Sequence, residues 1–79
     1  MKYFIDVIVP IPLPKPFTYW VSKDEYQFLR LGHRVGVPFG KKKIYTAIVV
    51  NKHKILPKTY EPKTIEVILD EEPIVTEHQ

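Results

Sequence analysis

Prolines at four alternate positions, Pro10, Pro12, Pro14 and Pro16, settle what the first quarter of this chain is not. Each ring fixes φ and removes an amide donor, so the run is neither a helix nor a central strand; it reads as a stiff, extended connector between two strand-like segments. With Asp6 it also interrupts the apolar stretch 3–13, which therefore cannot serve as the helical core of a signal peptide. No apolar stretch reaches the ~20 residues that cross a bilayer, so no membrane partner is expected. There is no cysteine, hence no disulfide framework or thiolate metal site. A cytoplasmic protein is expected.

The segments around this connector follow strand rules. Residues 2–9 place Tyr3, Ile5, Val7 and Val9 on one face and Phe4, Asp6 and Ile8 on the other, a strand apolar on nearly both sides. Asp6 is the exception, and a carboxylate there is expected to pair with a basic neighbour. Residues 17–21 (FTYWV) alternate Phe17, Tyr19 and Val21 against Thr18 and Trp20, so one face is core and the other exposes a ring. Ser22 and Glu25 form a capping box, predicting a helical turn through Tyr26, Phe28, Leu29 and Leu31 that Gly32 ends. Residues 53–62 read as a loop, 65–69 (IEVIL) as the last strand.

The centre of the chain is a hairpin. Residues 34–39 and 44–50, rich in β-branched and aromatic side chains, flank Gly40-Lys41-Lys42-Lys43. Three adjacent ammonium groups repel one another, so the tip either keeps an edge soluble or meets a polyanion. The charge distribution bears on that choice. Nine basic residues lie between positions 30 and 63 against Glu61 alone, whereas five acidic residues and no basic one follow from position 64. Such a block on strands and loops is the footprint of a nucleic-acid or other polyanion binder. An exposed ring beside lysines is what stacking of an unpaired base requires.

Enzymatic chemistry finds no constellation. His33, His53 and His78 lack ligand spacing, no serine has a histidine and carboxylate to activate it, and the Gly36–Lys42 region lacks the spacing and the serine or threonine of a phosphate-binding loop. The chain is expected to be a binding module: all-β, a small open barrel of about five to six strands with one short helical turn, spanning 1–72, with 73–79 the start of a linker. On the residues alone, single-stranded DNA binding, an RNA-binding OB-type module and a protein-interaction module using the Pro-rich segment all stand.

Five segments in order carry a resemblance: VPIPLP from Val9, FTY from Phe17, GHRVGVPFG ending at Gly40, AIVV from Ala47, and IEVILDEEP from Ile65. Together they resemble the N-terminal 3′-end DNA-binding domain of PriA, primosomal protein N′, the bacterial replication-restart helicase. The resemblance implies an OB-like module that recognises the 3′-OH end of the nascent leading strand at stalled forks, without regard to base. It implies a helicase core in cis, with ATP, magnesium and zinc outside this domain and no cofactor within it, and primosome proteins and single-stranded DNA-binding protein as partners. It places the terminal-nucleotide pocket at Phe17, Gly40 and Lys63, with Thr18 where the family has an aspartate. Tyr19 beside the ring and Lys41, Lys42 and Lys43 on phosphates complete the expected site. Threonine accepts a hydrogen bond from a 3′-hydroxyl but does not repel a 3′-phosphate, so weaker discrimination between the two ends is expected.

Overall fold

The computed structural model describes residues 2–12, 15–41, 43–58 and 60–70. Five strands, β1 (Tyr3–Ile8), β2 (Pro16–Val21), β3 (Arg34–Pro38), β4 (Ile44–His53) and β5 (Val67–Ile68), form one antiparallel sheet in the order β2-β1-β4-β3-β5. Among the described residues one six-residue helix, α1 (Lys23–Phe28), completes the expected all-β body, and the sheet stays open. The predicted linker 73–79 and Lys42 lie outside the described residues.

The inward face is built by alternation. Ile5, Val7, Val9, Tyr19, Val21, Val35, Val37, Ala47 and Val49 are buried together, joined by Leu29 and Ile65 from the connections. Phe4 points to the opposite face and is nonetheless fully buried, because the rings of Trp20 and His53 cover it at centroid distances of 5.2 and 5.8 Å. That explains a strand apolar on both sides. Asp6 shares this outer face and, as expected, takes a basic partner, His53 Nε2 at 2.8 Å. Here the β1–β4 register shifts: Asp6 opposes Asn51 while Val7 opposes Val49, leaving Val50 as the extra residue of a bulge.

The capping box forms as read: Glu25 donates its amide to Ser22 Oγ at 3.0 Å, and the Ser22 amide donates to Glu25 Oε1 at 2.8 Å. The helix nevertheless stops short of the predicted end. Leu29 is already extended (φ −71°, ψ 142°), drawn fully into the core, and Gly32 (φ 96°) serves the turn that follows. The last strand is also shorter than its composition promised: two residues pair with β3, and residues around Ile65 do something else.

What they do is bridge the two edges. The Trp20 amide donates to the Lys63 carbonyl (2.8 Å) on the β2 side, and the Glu66 amide donates to the Gly36 carbonyl (2.7 Å) on the β3 side, so one strap of chain bonds to both margins of an open sheet. Gly36 makes room for it. A Cβ there would stand 2.8 Å from Val67 Cγ1. Beyond the strap, Asp70 accepts from the Arg34 amide (2.8 Å) and guanidinium (2.8 Å), fixing its far end.

Candidate nucleic-acid interface

Strand β2 lies at the margin of the sheet with its backbone donors directed outward, and these donors organise a cleft. The Thr18 amide donates to the Tyr60 hydroxyl at 2.8 Å, and two residues further the Trp20 amide holds the strap at Lys63. Tyr60 and Lys63 thus stand along β2 as a facing wall. The opposite wall is the β3–β4 turn, where Gly40 takes φ +71°, a conformation that suits a residue without Cβ, and the Phe39 amide closes onto the Lys43 carbonyl at 3.0 Å.

Between them is a cleft of about 190 Å³. Phe17, Thr18, Tyr19, Gly40 and Lys63 all line it, together with Pro38, Phe39, Tyr60 and the acidic Glu61. Five residues expected at the site, from three separate parts of the sequence, therefore share one cavity. Lys41 and Lys43 are exposed on the turn that carries Gly40; Lys42 lies outside the described residues.

The side chains differ in what they offer. Phe17 is half-buried, its ring meeting Phe39 edge-to-face at 4.8 Å, which leaves part of a rigid aromatic surface to the cleft. Tyr19 is 4% exposed, so little of its ring is free to stack. Its hydroxyl donates to the Pro38 carbonyl at 2.8 Å and ties β2 to the hairpin. Burial, with the nearby Tyr60 oxygen adding to it, pushes the Tyr19 phenol up to about 12. The Thr18 hydroxyl donates to Asp6 Oδ1 at 2.6 Å, and that same carboxylate oxygen contacts His53. A carboxylate missing at position 18 is thus present one strand away.

Sequence reasoning missed Tyr60 and Phe39 in the lining of the cleft, and the bond from Thr18 to Asp6. Tyr60 was the only aromatic residue in a loop already expected to bind or to be disordered, and that was its sole signal. Among the described residues, no group of three acidic or histidine side chains is arranged to hold a metal ion.

Compared with known families, residues 6–79 match the family model described as the 3′ DNA-binding domain, 3′BD. No curated protein and no solved structure gave a match.

Proposed function

The chain belongs to the family of PriA 3′ DNA-binding domains, and from that premise we propose that it holds the terminal nucleotide of a DNA strand in the cleft between β2 and the β3–β4 turn. The supporting observation is the convergence of Phe17, Thr18, Tyr19, Gly40 and Lys63 on that cleft. The terminal base stacks on Phe17, which accepts any base because every base has a π-face. Gly40 lets the sugar approach the turn, and Lys63 with the turn lysines neutralises phosphates.

Thr18 reads the end itself. Its proton is committed to Asp6, so the oxygen is left with lone pairs only. It accepts the proton of a 3′-hydroxyl and has none to give a 3′-phosphate. Asp6 stands close behind and repels a further anion, supplying the charge that threonine lacks.

The biological end in this reading is the nascent leading strand at a stalled fork. The domain serves a cytoplasmic replication-restart helicase whose ATP-driven core, primosome proteins and single-stranded DNA-binding protein act around it. Competition between labelled free 3′ ends and unlabelled strands tests the binding step. A free 3′ end of any sequence is expected to compete well, and 3′-blocked or 5′-tailed ends poorly. Equal competition by all three would sink the proposal.

A further inference from the structure

Phe17 and Tyr60 each line two clefts. Beside the first lies a second, of about 310 Å³, lined by Lys15, Pro16, Phe17 and Tyr60. The Tyr60 hydroxyl is anchored on the Thr18 amide at 2.8 Å, which fixes its ring where the two cavities adjoin. We propose that the second cleft is a subsite for the penultimate nucleotide of the bound strand, so that Phe17 and Tyr60 separate two successive bases. The inference rests on the reading of the first cleft as the site of the terminal nucleotide.

Three features of the lining fit a nucleotide. Continuity comes first: a strand whose last residue occupies one cleft reaches the other by crossing a shared aromatic wall, and single-stranded nucleic acid is held in this way, with bases on rings. Charge comes second. Lys15 is exposed, and its ammonium stands 5.6 Å from the Phe17 ring centroid, at the boundary the connecting phosphate must pass. The third is chemical indifference. The lining has no side-chain amide or carboxylate to pair with a base in a two-bond pattern, and Pro16 and Phe17 offer only apolar faces. A base here is held by stacking, with the Tyr60 hydroxyl proton and Lys15 the side-chain donors beside it.

The test uses four-nucleotide strands with a free 3′ end: one intact, one with an abasic residue at the penultimate position, one abasic at the third position from the end. Loss of the penultimate base is expected to weaken binding about tenfold, the size of one lost stack, while loss of the third base changes nothing. Lys15→Ala, at an exposed position, is expected to make the salt dependence shallower by about 0.7 in log–log slope, one phosphate contact of a single strand. Equal binding of the intact strand and the penultimate-abasic strand overturns the inference, as does an equal loss at the third position. A fourth strand, 3′-blocked, separates the two claims. If it binds as well as the free end, the reading of the first cleft falls. If free ends are preferred while the penultimate base makes no difference, only the second subsite falls.

Discussion

The hydroxyl of Thr18 donates a 2.6 Å hydrogen bond to the carboxylate of Asp6, the residue directly opposite it on the neighbouring strand. Position 18 therefore acts together with position 6. Introducing a carboxylate by Thr18→Asp alone would set two like charges cross-strand and remove the existing bond, with an expected cost of about 1–3 kcal/mol in denaturant unfolding. Adding Asp6→Thr exchanges the pair and is expected to restore most of that loss. If the single and exchanged variants unfold alike, the two positions are not coupled.

The same pair governs end discrimination in the proposed mechanism. Asp6→Asn keeps an acceptor for the Thr18 hydroxyl and removes the charge, so the ratio of affinities for 3′-hydroxyl over 3′-phosphate strands should fall. An unchanged ratio in paired titrations would mean that Asp6 is not sensed in the cleft.

Phe17→Ala is expected to weaken binding by about 1–3 kcal/mol whatever the terminal base. Lys41→Ala should chiefly lower the dependence of affinity on salt. Titrations at several ionic strengths distinguish the two losses, since a stacking defect persists at high salt and a phosphate-contact defect fades.

Tyr19 predicts an alkaline limb. Its phenol is raised from 10.0 to about 12 by burial, so the folded state holds this proton more tightly than the unfolded chain does. The resulting stability is complete below pH 10 and is lost as pH rises toward 12. Tyr19→Phe forfeits the bond to the Pro38 carbonyl, about 0.5–1.5 kcal/mol, and removes the titration. The advantage of the parent over the variant should therefore shrink between pH 10 and 12 in parallel unfolding series.

Asp70 predicts the opposite limb. Hydrogen bonds from Arg34 hold its carboxyl below the ordinary carboxylate value of 3.8. The stability it gives the strap is present above that value and is lost as pH falls through the lowered one. The Arg34 side chain is exposed even though Asp70 is largely covered, so the effect is small and salt-sensitive. Protection of the Leu69 amide, which bonds the Arg34 carbonyl at 3.0 Å, measured as exchange relative to the intrinsic rate at each pH, should fall in acid in the parent and be low at every pH in Asp70→Ala.

What could be read beforehand follows how far apart the interacting residues lie in the chain. The hairpin around Gly40 and the box at Ser22 and Glu25 are set by neighbours a few positions away, and both were legible. The end of α1 was not, because Leu29 is drawn into a core whose shape no local pattern states. Nor was the short β5: the composition of residues 65–69 gives a strand, while the geometry of the strap leaves two residues to pair. The residues expected at the site came from the order of five segments, and five of them line one cleft; Tyr60, which lines it too, had no such signal, since its partner Thr18 is 42 positions away and its own loop has no periodicity.

The strap that joins both margins also sets an order of events. Contacts as distant as Thr18 with Tyr60 carry a large loop-closure cost and form after the local hairpin has done so. A partly folded chain would already display its cations and attract DNA along the backbone, yet would have no slot in which to hold a terminus. Affinity without selectivity for ends would then mark incomplete folding, and selectivity would serve as an assay of the finished fold.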